Sequence, residues 1–171
     1  MELPLGERFD ALELPADAGS AVLRRVPRTG PVPVQGLRRH LLIAAGGADR
    51  LPELPDRPEW GGVPLDPVAR GRGDRIPAPL PTGWREAAGC RSVPVWLRPP
   101  EPGSAVERTL PTAALGSGGG GPGAPDLVQL AGAAATECHR ARLLRAASAQ
   151  PFAFSYASRT VAGTRPRSLT S

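Results

Sequence analysis

The chain predicts a small α+β protein, and three observations carry that reading. Short β-branched or alternating apolar runs such as "RRHLLIAA" are broken by Pro and Gly. A single long amphipathic stretch follows near the C-terminal end. Aromatic residues make up only 4% of the 171 residues, so Leu, Val and Ala must supply the burial of one modest core.

"RFDALELPADAGSAVLRRV" opens with alternation of Phe9 and Ala11 against Asp10 and Leu12, continued by Leu14, which predicts a strand ended by Pro15. Asp17 is placed to cap a short helix with Ala18, Val22 and Val26 on one face. The prolines of "TGPVPV" (29–34) predict an extended edge strand. "RRHLLIAA" (38–45) is the best strand of the chain, ended by Gly46 and Gly47. "ADRLPELPDR" allows one or two helical turns before its prolines interrupt them.

"GGVPLDPVA" (61–69) predicts a strand whose prolines place it at an edge or a bend, and "SVPVWLRPP" (92–100) a further short strand. Between them stands "RGRGDRIPAPLP" (70–81): Gly71 and Gly73 make a turn that brings backbone close to a phosphate or a neighbouring strand, and the prolines set an extended exit. Residues 101–124, with "GSGGGGPG", have linker composition. "PDLVQLAGAAATECHRARLLRAA" then gives a helix with Leu127, Leu130, Ala131, Ala134, Cys138 and Ala141 in one stripe. Phe152, Phe154 and Tyr156 alternate along a short strand, and a Ser/Thr/Arg tail has the composition of a disordered segment. The expected organisation is an α+β part over 1–100, a linker over 101–124, a helix and strand over 125–157, and a disordered tail over 158–171.

All 21 basic residues are Arg, with neither Lys nor Asn, as translation of a very GC-rich bacterial genome would give. The formal net charge of +5 favours anionic partners, although 16 acidic residues are interspersed. No apolar run nears the roughly 20 residues that span a bilayer. "MELPLGERFD" lacks the form of a secretion signal. Cys90 and Cys138 make no disulfide framework. These features predict a cytoplasmic chain with no membrane partner.

Few residues could carry chemistry. Glu13, His40 and Asp66 each sit on a strand-like segment followed by a break. An acid within an apolar strand must face solvent or find a partner. Cys138 and His139 are adjacent on a helix, with no second pair at zinc spacing. The tripeptide Arg72-Gly73-Asp74 is incidental in so Arg- and Gly-rich a chain. The row Phe152, Phe154, Tyr156 suits core packing better than base stacking. Ser158, Thr160, Thr164, Ser168 and Thr170 lie beside arginines that would suit phosphorylation, which nothing in the sequence requires.

In order, "FDALELPADAG", "GLRRHLLIAAGG" and "VPLDPVARGRGDRIPAPLP" with "VPVWLRPP" resemble three motifs of the bifunctional DNA primase/polymerase (prim-pol) domain of the archaeo-eukaryotic primase superfamily. The resemblance covers about residues 9 to 98. It implies an RRM-like half of that domain with a small mixed or antiparallel sheet. It places Glu13 on the first acid of the metal-binding dyad, His40 on the nucleotide-contacting histidine and Asp66 on the third acid. Trp96 falls on the aromatic strand, and "GDRIPAPLP" on the Gly-rich turn and its exit. Nucleotide or nucleic-acid contacts are then expected from Arg38, Arg39, His40, Gly71, Gly73 and Arg75.

The departures bear on activity. Pro15 stands where the dyad has its second carboxylate, and proline cannot ligate Mg²⁺. Asp10 should point to the opposite face of the strand, and Asp17 could fill the gap only from the turn. Met1 comes shortly before the first motif, so the family's N-terminal portion is expected to be missing, whether the chain is complete or a mis-started fragment. The resemblance therefore implies a non-catalytic protein, with Glu13 and Asp66 as remnants of a Mg²⁺ site, and a regulatory or interaction role with weak nucleotide or nucleic-acid binding. Two alternatives stay open: a metal-dependent nucleotidyl-transfer enzyme completed by a missing segment or partner, and a regulatory protein acting through a protein partner with no nucleotide role.

Overall fold

The computed structural model describes residues 1–51, 67–81, 93–113 and 126–149. Its elements in chain order are β1 (Glu2–Pro4), β2 (Phe9–Pro15), α1 (Ala16–Arg25), β3 (Val32–Gln35), β4 (Arg38–Ala44) and the single-turn α2 (Gly47–Arg50). They continue with β5 (Val68–Arg70), β6 (Arg75–Pro77), β7 (Val95–Arg98), a 3₁₀ turn (Val106–Thr109) and α3 (Leu127–Ala149). The fold is α+β. A five-stranded antiparallel sheet runs β5-β2-β4-β3-β7, and β1 pairs with β6 in a small second sheet.

Within the large sheet the strands that follow β2 keep the order β5-β2-β4-β3, the fourth, first, third and second of the series. That order, with α1 crossing from β2 to β3, is a split βαβ arrangement. Among the described residues only α2 lies between β4 and β5, and α3, which follows all the strands, packs along α1 on the same side of the sheet.

Period two in β2 and β4 divides their side chains between two cores. Leu12, Leu14, Leu41 and Ile43 point to the helical side, where Val22 and Val26 of α1 and Leu127, Leu130 and Cys138 of α3 cover them. Ala11 and Leu42 point the other way, against Leu5, Ile76 and Leu110. Both faces of the central pair are covered, so β2 is buried along nearly its whole length. The α3 stripe expected from sequence faces the first core. Asp126 caps the helix by accepting the Val128 N–H at 2.9 Å.

Three local expectations are corrected. The segment 29–34, read as an edge strand, supplies β3, which lies inside the sheet between β4 and β7. A register shift between Val32 and Pro33 accommodates the proline, because a bulge frees the ladder position where its missing N–H would be needed. The helix after β2 starts a residue or two before the cap expected at Asp17. Pro15 takes the cap position, and Asp17 accepts the Ala18 N–H from within the first turn. Residues 106–113, within the stretch of linker composition, belong to the packed body. Leu110 is fully buried, and the Ala44 N–H donates to the Pro111 carbonyl at 2.9 Å. One apolar anchor and two backbone hydrogen bonds, the second from the Leu127 N–H to the Thr112 carbonyl at 3.1 Å, outweigh a composition averaged over the whole segment. The proposed strand over 152–156 and the tail lie outside the described residues. No described helix is long and apolar enough to cross a membrane.

Candidate functional site

The antiparallel register of β2 and β4 sets Glu13 directly opposite His40. On the same face, β4 carries Arg38 opposite Pro15, and β5 carries Arg70 opposite Ala11. Each arginine lies diagonal to Glu13 and reaches its carboxylate. Arg70 Nε donates to Oε2 at 2.5 Å, and Arg38 Nε lies 3.4 Å from Oε1. Glu13 is 7% exposed, so the carboxylate is tolerated inside only because two guanidiniums neutralise it.

His40 is 5% exposed, and neither Nδ1 nor Nε2 has a hydrogen-bond partner among the described residues. Burial pushes its pKa below the ordinary 6.5; the Glu13 carboxylate pulls upward, and Arg70 and Arg38 add to the lowering. At neutral pH the ring is therefore an uncharged imidazole with one donor and one acceptor, both unmet. Arg38 and Arg70 spend their Nε groups on Glu13. Both arginine side chains are partly exposed, 48% for Arg38 and 36% for Arg70.

The other sequence-derived candidates fall elsewhere. Arg39 lies on the helical side of the sheet, where its Cβ and Cγ cover Gly19; a Cβ on that glycine would stand 2.7 Å from the Arg39 Cγ. Gly71 and Gly73 turn the chain from β5 into β6. The Gly71 N–H donates to Asp74 Oδ2 at 3.1 Å, and the Asp74 N–H returns to the Gly71 carbonyl at 3.0 Å. That turn is closed on its own aspartate, and the Leu5 N–H bonds the Asp74 carbonyl at 3.0 Å, so the backbone it brings close is that of the β1 segment. Arg75 sits in the second sheet, opposite Pro4 and 4.0 Å from Glu2. Asp66 lies outside the described residues.

Among the described residues the donors do not fit Mg²⁺. Both Glu13 oxygens are committed to arginines, Pro15 supplies no ligand, and no group of three or more His, Cys, Asp or Glu among the described residues could hold a metal ion. Asp10, on the helical face as its position in the strand predicts, is 1% exposed. Its Oδ2 accepts the Ala48 N–H at 3.0 Å and its Oδ1 has no partner. Asp10 thus ties β2 to the turn after β4 and does not complete a metal site.

Arg70 was not singled out in the sequence. Its only signal there is a basic residue closing an apolar strand, and its contact with Glu13 depends on a β2–β5 register that no local pattern specifies. Fold and site together define an α+β sheet protein with a buried carboxylate, held by two partly exposed arginines, beside a neutral histidine with no partner among the described residues. Comparison with family models, curated proteins and solved structures finds no match for the chain.

Proposed function

We propose that this protein is a non-catalytic prim-pol-like module with a regulatory or interaction role, which contacts phosphate groups of a nucleotide or nucleic acid through Arg38 and Arg70, beside the buried His40. The observation that carries the reading is the cluster itself. Glu13 takes one nitrogen from each arginine and cancels one of two positive charges. The partly exposed guanidiniums of Arg38 and Arg70 would complement an anionic, hydrogen-bonding ligand, with the buried His40 ring packed beside them. Gly71, Gly73, Arg39 and Arg75 drop out of the contact set on their positions. Loss of catalysis is supported by Pro15 and by the arginine-bound state of Glu13, which leave no carboxylate pair for a metal among the described residues.

The test is binding of fluorescently labelled nucleoside triphosphate and single-stranded DNA across a salt series, with and without Mg²⁺. Binding that weakens steeply with salt, does not need Mg²⁺ and is lost in the Arg38→Gln/Arg70→Gln double variant is expected. Absence of binding at low salt would overturn the proposal. Nucleotide incorporation that requires Mg²⁺ and Glu13 would replace it with an enzymatic one.

A further inference from the structure

A separate feature lies on the helical side, away from the Glu13–His40 cluster. The helices α1 and α3 run together and leave between them a groove of about 690 Å³. Its floor is small and apolar: Ala18, Ala21 and Ala141, with Leu144 rising at one end, 62% exposed. Lining residues on α3 extend from Glu137 to Ser148, about 16 Å of helix at 1.5 Å per residue. A floor of alanines lets a third helix approach closely, and this length matches roughly three turns of it.

The charges on the walls state what such a helix must carry. Both acids of the groove are already committed within the protein, Glu137 to Arg25 at 3.1 Å and Asp17 to Arg145 at 3.7 Å. Arg24 and Arg140 also line the groove and have no ion pair among the described residues. Among the described residues the unbalanced charge along the groove is therefore positive. A second copy of this face would bring the same arginines and be repelled. The chain's own residues after Ala149 include Arg159, Arg165 and Arg167 and no Asp or Glu, so they do not complement it either.

We propose that the α1–α3 groove is a docking site for an acidic amphipathic helix of a protein partner, its apolar face on the alanine floor and Leu144, its carboxylates on Arg24 and Arg140. The recognition is by helix shape and charge, independent of any nucleotide contact on the opposite face of the sheet.

The experiment uses the full chain and a fluorescein-labelled synthetic helix of roughly three turns, with leucines at i, i+3 and i+7 and glutamates on both flanks. Its twin carries lysines in place of the glutamates. Fluorescence anisotropy should show saturable, salt-sensitive binding of the acidic peptide and at least tenfold weaker binding of the twin. The Arg24→Glu/Arg140→Glu variant should invert that preference, a result that also shows the variant to be folded. Ala21→Trp, which fills the floor, should weaken the acidic peptide at least tenfold with the charges intact, whereas Arg28→Glu, an exposed charge outside the groove, should not. Equal binding of both peptides, or an acidic-peptide affinity unchanged in the double variant and in Ala21→Trp, overturns the proposal. So does displacement of the peptide by single-stranded DNA at matched charge, which would make the arginines a general anion surface.

Discussion

Glu13 and His40 face each other across the β2–β4 ladder, the carboxylate ion-paired to Arg38 and Arg70 while neither imidazole nitrogen has a partner among the described residues. A polar group buried without hydrogen bonds costs about 1–3 kcal/mol, and removing it for an apolar group of similar size recovers part of that. In the isolated protein, His40→Leu should therefore leave stability at pH 7 unchanged or raise it by about 1 kcal/mol, measured by urea denaturation. A loss of more than about 2 kcal/mol would show that the imidazole is satisfied in solution.

The same histidine gives a pH dependence of defined sign. Its folded pKa lies below the ordinary 6.5 because burial penalises the imidazolium. Between those two values the unfolded chain binds more protons than the folded one, so stability rises with pH there. This contribution is complete above 6.5 and is lost as pH falls through the folded value. Denaturation midpoints should drop on acidification just below pH 6.5, and His40→Leu should flatten that part of the curve.

Glu13→Gln tests the cluster from its other side. The amide can still accept a hydrogen bond, but Arg38 and Arg70 lose the charge that holds them together. A cost of about 1–2 kcal/mol is expected, modest because both arginines are partly exposed. The substitution also removes the one influence that raises the His40 pKa, so an NMR titration should place the ring at still lower pH than in the unaltered protein. An unchanged or higher His40 pKa would mean that Glu13 does not act on the ring.

Gly6 is the tightest backbone contact between the start of the chain and the Gly71–Asp74 turn. Its φ is +93°, and a Cβ there would stand 2.3 Å from the Arg72 Cα. Gly6→Ala should destabilise by about 2–4 kcal/mol, because both conformation and space forbid the methyl group. Gly36→Ala, with φ +53° but open space around it, should cost only about 1 kcal/mol. Thermal unfolding of the two variants side by side checks the ordering.

Leu110 is fully buried against Leu42 and Ile76 although its neighbours in sequence have linker composition. Leu110→Ala should cost about 2–4 kcal/mol, as for a core leucine, and a change below 0.5 kcal/mol in urea titration would return the segment to the status of a tether.

These cases show what one sequence could convey. β4 and α3 were legible because their patterns are local: a short β-branched run, and a stripe at helical spacing that matches the buried residues Leu127, Leu130, Ala134 and Cys138. Asp10's opposite facing from Glu13 also follows from alternation alone. The β3 strand was misplaced at an edge because the proline rule says where a proline is easy, and a register shift is visible only once both neighbours are present. The site was legible by residue type at Glu13 and His40 and illegible as a cluster. Arg70 meets Glu13 across a gap of 57 positions, through a strand pairing that the whole fold selects.

The parallel bridge between Thr112 and Asp126, with the Leu127 N–H bonded to the Thr112 carbonyl at 3.1 Å, has a practical consequence. The bridge holds Thr112 and Asp126 side by side, so the described body itself fixes the two points that the intervening residues must join. The entropy of closing such a span grows only logarithmically, about 0.6 kcal/mol per doubling. A reporter domain inserted within the Gly-rich run, or new termini opened there, should leave the sheet and both cores in place. Molecular surgery on this protein should begin at that span.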